Sequence, residues 1–346
     1  MKKQKRLSYR DAGVDIAMSD SFQREIVRNV RSTFTPGVLC DIGLFGGLFD
    51  IKKMGFRNPV LVASVDGVGT KLKVAVMMNK HNTVGRDLVA HCVNDIAVQG
   101  AVPLFFMDYI GATKVEPKIY RDIIKGFVFE CKKSGCALLG GETAQMPGMY
   151  PEGEYDLVGT IVGAVERGKI IDGSKVRVGD TLIGLASNGL HTNGYSLARK
   201  VFFDVCGLNV HDWVDDLRAT AGAALLKVHT NYAAIIQSLI KEFTIKALAH
   251  ITGGGLPGNL CRVLPEGTAV EIEDGSWPEP KIFKFIAERG GIERPEMFRT
   301  FNMGIGLVAA VSSRRADDVL RFLRAKKVKS YNIGRIVKGK KEIHIC

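Results

Sequence analysis

The stretch that most constrains this chain is residues 59–71, PVLVASVDGVGTK. Val60–Val65 is an almost unbroken apolar run rich in β-branched residues, and it predicts a buried strand. The run ends at Asp66, which two glycines, a threonine and Lys71 follow. The carboxylate can hold a divalent cation, the glycines admit a bulky ligand, and the lysine offers a mobile positive charge. These residues are compatible with a site for a metal-bound polyphosphate. They are equally compatible with an ordinary strand-to-helix turn in which Asp66 is a turn or cap residue.

The composition describes a globular chain of 346 residues with 46% hydrophobic and 8% aromatic side chains. This length is sufficient for two domains with a sizeable core. The basic opening, residues 1–15, has no apolar segment after it, and no later run approaches the length that spans a bilayer. Seven scattered cysteines without a Cys-x-x-Cys pair favour reduced thiols over zinc. We therefore expect a cytoplasmic protein without a membrane partner.

The net charge of +12 is concentrated at the two ends of the chain. The first ten residues carry five basic and no acidic side chains, and residues 321–341 carry nine basic and no acidic ones. Fourteen of the 48 basic residues lie there, which leaves 34 basic against 36 acidic residues. Since no aromatic-interleaved basic stripe accompanies them, we expect solvated ends that help to attract a phosphorylated substrate, and no specific nucleic-acid partner.

The apolar periodicity of Val84–Gln99 predicts a helix with a polar stripe. At 100° per residue, the stripe contains Asp87, His91, Asn94 and Asp95, and apolar side chains occupy the opposite face. One acid on a helix usually belongs to a solvated face. Because strongly apolar segments flank this helix and another acidic motif precedes it, we favour a metal-ligand role for Asp95 with Asn94.

A further carboxylate motif, GGET at 140–143, follows a short strand predicted over Cys136–Leu139. It places Glu142 on a flexible backbone at a strand end, where a general base or a partner for a substrate hydroxyl would be useful. A tight turn capped by the same side chain is equally compatible with these residues. Two more apolar strands are predicted, over Val102–Tyr109 and Tyr155–Val165.

The turn-rich segment Lys169–Asp180 marks the predicted domain boundary, with domains over 1–168 and 169–346. In the second domain, loop 187–194 contains His191, which can donate a hydrogen bond to phosphate. Strands and helices are mixed in both halves, so the fold class is α/β or α+β. Further helices are predicted near Asp20–Arg31, Pro117–Lys133, Tyr195–Phe203 and Arg315–Lys326, and strands over Thr181–Ala186, Lys246–Ile251, Phe301–Val311 and Tyr331–Val337. No role is assigned to His81, His91, His211, His229, His250 or His344.

Seven motifs, in order along almost the whole chain, resemble the phosphoribosylformylglycinamidine cyclo-ligases, also called aminoimidazole ribonucleotide synthetases. Such an ordered set is far more specific than a single glycine loop. The motifs are LSYRDAGVDI at 7–16, SVDGVGTKL at 64–72, HCVNDIAVQGAVPLFFMDYI at 91–110, GCALLGGETAQMPGMY at 135–150, GLHTNGYSL at 189–197, AHITGGGLPGNLCRVLP at 249–265 and MFRTFNMGIGL at 297–307.

This resemblance implies a two-domain α/β (α+β) fold of the aminoimidazole ribonucleotide synthetase type. The N-terminal domains of a homodimer would pair in a shared β-barrel, each followed by a C-terminal α/β sandwich, with the active site in the groove between the domains. The implied activity belongs to purine biosynthesis. It uses ATP and Mg²⁺ to close the ring of formylglycinamidine ribonucleotide, a small phosphoribosyl substrate, giving aminoimidazole ribonucleotide, ADP and phosphate. A requirement for K⁺ stays open.

The resemblance also implies roles for individual residues. Asp66 and Asp95 resemble the magnesium ligands. The implied catalytic set is Asp66, Lys71, Glu142 and His191, and the implied nucleotide-binding set is Gly43, Gly46, Gly47, Gly67, Gly69, Thr70 and Asn193.

The chain departs from the family pattern at its first glycine-rich loop, where relatives have GGLGGFGG and residues 40–47 are CDIGLFGG. Gln145 stands where an acid is usual and Val65 where threonine is usual, and the region 207–232 is shorter than in relatives. Two alternatives stay open, and the altered glycine-rich loop supports only the second of them. One is a sister ATP-dependent enzyme of the same fold, and the other is a non-catalytic ligand-binding paralogue.

Overall fold

The fold is described from a computed structural model, which covers Ala12, residues 26–114 and residues 116–346. Residues 26–31 are helical (α1), and the rest of the helix predicted near Asp20–Arg31 lies outside the described residues. In the part of the chain that is described, no helix is both long enough and apolar enough to cross a bilayer.

The N-terminal domain is a four-stranded sheet with helices packed on one face. The strand order is β1-β4-β2-β3, and only the β2–β3 pair is parallel. A parallel pair needs a crossover connection, which α4 provides. The strands are β1 (Pro59–Gly67), β2 (Val102–Ala112), β3 (Ala137–Gln145) and β4 (Tyr155–Glu166), and the helices are α2 (Lys71–Met77), α3 (Asn82–Ala97) and α4 (Pro117–Ser134).

Helices α3 and α4 pack backbone against backbone at two glycines. A Cβ atom at Gly85 would lie 2.4 Å from the carbonyl oxygen of Ile123, and one at Gly126 would lie 2.6 Å from that of Asn82. Because no other residue fits at these distances, the two glycines allow the close approach. The contact fixes α3, the helix that carries the polar stripe.

The C-terminal domain contains a six-stranded sheet in the order β12-β9-β11-β5-β10-β8, with β9 and β12 parallel and the other pairs antiparallel. The strands are β5 (Thr181–Ala186), β8 (Ala247–His250), β9 (Thr268–Ile272), β10 (Ile305–Val311), β11 (Ser330–Lys338) and β12 (Ile343–Ile345), and β6 (Trp213–Val214) and β7 (Ala219–Thr220) form a separate ribbon. The helices are α5 (Tyr195–Arg199, continued by a π-helical turn over Lys200–Val205), α6 (Ala221–Leu225), α7 (Ala233–Glu242), α8 (Gly255–Leu260), α9 (Lys281–Gly290), α10 (Arg294–Thr300) and α11 (Ala316–Ala325).

One strand differs from its sequence-based prediction in a way that affects the site. Strand β3 continues to Gln145, so Glu142 lies within a paired strand opposite Tyr109. The expectation of a flexible backbone at this position is therefore wrong. The domain boundary stays a prediction, and the segment between β4 and β5 covers residues 167–180.

Candidate active site

A cavity of about 750 Å³ lies between the two domains. Asp66 lines it from the end of β1, Asp95 from α3, and Asn193 from the loop after β5. Arg262 contributes a guanidinium group from the segment after α8. The other polar residues and glycines of the lining are Ser64, Gln99, Asp172, His250, Thr252, Gly253 and Asn259.

The polar stripe of α3 faces the second domain instead of solvent. Asp87 is fully buried and accepts a hydrogen bond from the backbone N–H of His229 at 2.7 Å. Asn94 is also fully buried and accepts one from the backbone N–H of Tyr232 at 2.7 Å. Asn94 also donates to the carbonyl oxygen of Thr230 at 2.9 Å. The stripe predicted from the sequence is therefore an interface between the domains, and Asp95 is its member at the cavity.

Lys71 is fully buried in an interdomain salt bridge. Its ammonium nitrogen lies 2.8 Å from Asp87 Oδ2, and it donates to the carbonyl oxygens of His191 at 2.9 Å and Lys227 at 2.7 Å. An ammonium group has three N–H donors, so these partners use its full capacity. The expectation of a mobile charge at this position is therefore wrong, while the catalytic role of Lys71 stays a prediction.

Asp66 is the first residue in a series of close polar contacts. Its Oδ1 accepts the backbone N–H of Gly67 at 2.7 Å, and its Oδ2 lies 2.8 Å from His91 Nε2. The other ring nitrogen, His91 Nδ1, is 2.6 Å from Thr192 Oγ1. These contacts join the end of β1 to the loop after β5 through α3.

The series continues through two more buried histidines to Asp95. Thr192 Oγ1 is 3.2 Å from His229 Nδ1, and His229 Nε2 is 3.0 Å from His250 Nε2. His250 Nδ1 then lies 2.8 Å from Asp95 Oδ1, while Ser64 donates to Asp95 Oδ2 at 3.1 Å. We call the six side chains Asp66, His91, Thr192, His229, His250 and Asp95 the His–Asp chain.

The electrostatics of the His–Asp chain favour ionised carboxylates at both of its ends. Burial alone would raise the pKa of Asp66, but its contacts with His91 and the Gly67 N–H outweigh burial and lower the pKa. Asp95 behaves in the same way, because His250 lowers its pKa against the effect of burial. Burial would lower the pKa of His91, yet its two carboxylate neighbours raise it, whereas burial keeps the pKa of His250 low. Negative charge is therefore held at the cavity and positive charge is favoured at His91.

The loop after β5 places its two predicted site residues differently. Asn193 lines the cavity, and its amide nitrogen is buried without a hydrogen-bond partner among the described residues. His191 is buried, adopts a left-handed backbone with φ 62°, and stacks on His229 with ring centroids 4.0 Å apart. Burial lowers the pKa of His191 well below its usual value. His191 therefore lies under the wall of the cavity as a neutral ring.

The turn after β1 is held against the second domain. Gly69 adopts φ 68°, a left-handed conformation that glycine tolerates without strain, and α2 begins two residues later. Thr70 Oγ1 lies 3.2 Å from the hydroxyl of Ser196. Gly67, Gly69 and Thr70 thus surround the Asp66 end of the site, and their role in binding phosphate stays a prediction.

The remaining predicted residues lie beside the opposite edge of the N-terminal sheet. Phe49, next to the glycine-rich loop, packs on Phe105 with ring centroids 5.3 Å apart, and a Cβ atom at Gly47 would lie 2.4 Å from Leu139 Cγ. Glu142 is exposed on β3, which the strand order separates from β1 by β4 and β2. The structure does not bring Gly43, Gly46, Gly47 or Glu142 to the interdomain cavity within one chain, and their roles stay predictions.

Sequence reasoning missed His91, His229 and His250 as members of the site. The helical period placed His91 on the polar stripe, one turn before Asp95, so a signal for it existed. His229 and His250 carry no local pattern, because their rings contact the His91 ring across more than 130 residues of sequence. Its position three residues before the glycine triplet was the available hint for His250.

The two domains match the models of the AIR synthase related protein, with the N-terminal domain model over residues 54–165 and the C-terminal domain model over residues 177–346. Two solved structures share the fold at 18% sequence identity. E. coli HypE, a hydrogenase maturation protein, has a TM-score of 0.68 and covers 93% of each chain. Thiamine-monophosphate kinase from Stenotrophomonas maltophilia has a TM-score of 0.67 and covers 92% of this chain and 95% of its own. The fold and the interdomain cavity therefore define a two-domain protein of the AIR synthase related class.

Sequence similarity narrows this class. The phosphoribosylformylglycinamidine cyclo-ligase of Syntrophotalea carbinolica is 51% identical over 342 residues, which cover 99% of this chain and 98% of that enzyme. The chain belongs to the phosphoribosylformylglycinamidine cyclo-ligase family.

Proposed function

We propose that this chain catalyses the ATP-dependent ring closure of formylglycinamidine ribonucleotide to aminoimidazole ribonucleotide, with release of ADP and phosphate, in purine biosynthesis. The observation that carries the proposal is the interdomain cavity, in which Asp66, Asp95 and Arg262 combine two carboxylates with a guanidinium group. A metal-bound triphosphate and a phosphoribosyl group need charges of these kinds. A relative that is 51% identical along almost the whole chain has the same named activity.

The chemistry consists of activating a poor leaving group. Transfer of the γ-phosphoryl group of ATP to the formyl oxygen forms an oxygen–phosphorus bond, breaks the β–γ phosphoanhydride bond and yields ADP. A nitrogen of the substrate then attacks the formyl carbon and loses a proton, and the carbon–oxygen bond breaks with departure of phosphate. Both steps depend chiefly on alignment of the reactants and placement of charge.

The acidic wall of the cavity fits Mg²⁺, because hard divalent ions prefer carboxylate oxygens. Asp66 and Asp95 would hold the ion, which neutralises charge on the triphosphate during phosphoryl transfer. The protein orients both carboxylates in advance. The Gly67 N–H fixes Asp66, and His250 with Ser64 fixes Asp95.

Two other side chains of the cavity lining suit the phosphoribosyl substrate. Arg262 supplies a positive charge, and Asn193 supplies an amide nitrogen with no hydrogen-bond partner in the described part of the chain. A buried donor without a partner costs about 1–3 kcal/mol, so a ligand acceptor at this point would be favoured. We assign these two side chains to the phosphate or ribose of the substrate.

The uncovered face of the N-terminal sheet supports a homodimer. Leu61 and Val65 of β1 are each 63% exposed, and Val65 pairs with Thr160 of β4, which pairs with Met107 of β2. A contiguous apolar sheet face of this kind is typical of an interface between subunits. A second copy of the chain would cover it. Sedimentation should give a dimer that Leu61→Glu with Val65→Glu converts to a monomer, and a wild-type monomer at micromolar concentration would contradict the inference.

The catalytic assignment is tested by ADP release from the purified protein with ATP and Mg²⁺. Asp66→Asn should lose most of its turnover because a magnesium ligand becomes neutral, and His191→Ala should lose most of it because the ring under the cavity wall is removed. Both variants should remain folded dimers. Near-normal turnover in either variant would remove that residue from the mechanism. The same assay in Na⁺ and K⁺ buffers measures any need for K⁺.

The cytoplasmic location belongs to the same proposal. It is supported by the seven cysteines, all of which are free in the structure, and by the reducing environment that such cysteines indicate. The alternatives of a sister enzyme and a non-catalytic paralogue are less well supported. The sister folds are only 18% identical, and the carboxylates of Asp66 and Asp95 in the cavity are both oriented by hydrogen bonds.

A further inference from the structure

The His–Asp chain has more close contacts than its neutral side chains have protons. Three neutral imidazoles supply one N–H each and Thr192 supplies one O–H, whereas the two carboxylates only accept. These four protons fill the four contacts that have hydrogen-bond geometry. The fifth contact, between His91 Nε2 and Asp66 Oδ2, is 2.8 Å long, but His91 Nε2 makes no aligned hydrogen bond with any described residue. When His91 is neutral, one buried nitrogen lone pair is thus left beside a carboxylate, and a positive charge at this nitrogen, from a proton or a metal ion, is favoured.

The same four protons allow a second arrangement. His91 Nδ1–H and His229 Nδ1–H can both donate to Thr192 Oγ1, and His250 Nε2–H can donate to His229 Nε2. In this arrangement His91 Nε2 and His250 Nδ1 both present lone pairs, one on each side of Asp95. With all three rings neutral, a cation can therefore bind between two imidazoles and a carboxylate, and it takes the place of the positive charge that the carboxylates favour at His91.

The distances suit a shared ion. His91 Nε2 is 3.9 Å from Asp95 Oδ2, His250 Nδ1 is 2.8 Å from Asp95 Oδ1, and one ligand atom from each residue lies within 4.8 Å of the others. Ligand atoms about 2.1 Å from one ion are about 3.4 Å apart at tetrahedral angles, so the widest pair would have to close by up to about 1.4 Å. Asp95 lines the cavity, which leaves room for water on the open side of the ion.

The ring nitrogens that face away from the ion position are already held. Thr192 contacts His91 Nδ1 and His229 contacts His250 Nε2. Metal-bound histidines almost always have such a partner at the second ring nitrogen, which fixes the tautomer and the orientation of the ring. The arrangement differs from an ordinary pair of buried histidines, because both nitrogens lie within 4 Å of the Asp95 carboxylate, and His91 Nε2 is also 2.8 Å from Asp66 Oδ2.

We propose that His91 Nε2, His250 Nδ1 and the Asp95 carboxylate form a binding site for a late first-row divalent ion, represented by Zn²⁺. Imidazole ligands favour zinc, cobalt or iron over magnesium, which prefers a set made of oxygens. Binding of the ion does not rest on the proposed cyclisation. Since Asp95 is also a proposed magnesium ligand, Zn²⁺ would compete with Mg²⁺ at this carboxylate.

The test is a titration of the metal-free full-length protein with Co²⁺, in the absence of nucleotide and substrate. The expected result is one Co²⁺ per chain with visible d–d bands that Zn²⁺ abolishes, and without the near-ultraviolet band of a cobalt–thiolate bond. His91→Gln and His250→Asn should each weaken binding about 100-fold. His211→Gln, which changes an exposed histidine, is the matched control and should bind as the wild type does. Failure of this titration leaves the ADP-release assay unaffected, so the two proposals fail separately.

A second measurement removes any dependence on the folding of the variants. X-ray absorption of the zinc-loaded wild-type protein counts its imidazole ligands, and the proposed site predicts two. Absence of stoichiometric Co²⁺ binding, equal binding by the His250→Asn variant and the control, or a zinc ion without imidazole ligands would each overturn the proposal.

Discussion

Replacement of Lys71 by methionine separates the buried salt bridge from an open phosphate-binding lysine. In the structure, Lys71 joins Asp87 of its own domain to two carbonyl oxygens of the second domain. The Lys71→Met variant keeps the length of the side chain and removes the charge. It leaves a buried carboxylate whose remaining donor is the backbone N–H of His229 at 2.7 Å. We therefore expect a large loss of stability.

The size of the loss follows from the burial of the pair. Breaking a buried ion pair by removing one partner costs about 3–5 kcal/mol. Burial raises the pKa of Asp87 even with the lysine present, so the carboxyl group can take up a proton once the lysine is gone. The His229 N–H also stays in place. Both effects limit the cost, and we expect a decrease of about 3 kcal/mol in the free energy of unfolding at pH 7.

Guanidinium unfolding measures this value, with Lys73→Met as the matched control on the same helix. Lys73 pairs with Glu154 at 2.5 Å and is 40% exposed, so its removal should cost less than about 1 kcal/mol. The double variant Lys71→Met with Asp87→Asn should cost at least about 1 kcal/mol less than the sum of the single variants. If Lys71→Met lowers the free energy of unfolding no more than the control does and instead raises the KM for ATP, the buried salt bridge is refuted. The result would then favour Lys71 as a mobile positive charge that contacts ATP.

Two further predictions concern a half-buried acid, Asp108, and a glycine. Burial raises the pKa of Asp108 to about 7. At pH 5 the folded state therefore binds a proton that the unfolded state does not, which adds about 3 kcal/mol to the free energy of unfolding. This contribution should be lost by pH 8, where the carboxyl group is ionised in both states. Asp108→Asn should remove this loss in guanidinium unfolding at the two pH values, and an unchanged pH dependence would contradict the assignment. In Gly306→Ala, the new Cβ atom would meet the Tyr232 hydroxyl and would lie 2.5 Å from His191 Cε1, so turnover should fall at least about tenfold by displacement of the two rings. Gly168→Ala, whose new Cβ atom meets nothing within 4 Å, should keep normal turnover. Equal turnover in the two glycine variants would refute the role of the two rings.

The fold was predictable from the sequence in segments where a single hydrophobic period dominates. The stripe of α3 followed from the 3.6-residue period, and the structure buries Asp87 and Asn94 of this stripe between the domains. The end of β3 was not predictable in this way. Its glycines and Glu142 resemble a turn, yet pairing with β2 continues the strand to Gln145, because contacts with a neighbouring strand outweigh local turn preference.

The sequence predicted the carboxylates of the site, but it did not predict the network of side chains that orients them. Asp66 and Asp95 were identified from a strand end and a helix face, and both line the cavity. The partners that orient them, His91 and His250, depend on contacts between distant segments that no local pattern encodes. Lys71 shows the same limit, because the adjacent glycines suggested an open turn while the buried Asp87 decides its position.

The most direct test of the proposed activity follows the formyl oxygen of the substrate. Formylglycinamidine ribonucleotide labelled with ¹⁸O at the formyl position is incubated with the protein, ATP and Mg²⁺, and the products are analysed by mass spectrometry. The account predicts aminoimidazole ribonucleotide and ADP in equal amounts, with the label in the released phosphate. Absence of the imidazole product, or phosphate without the label, would contradict it.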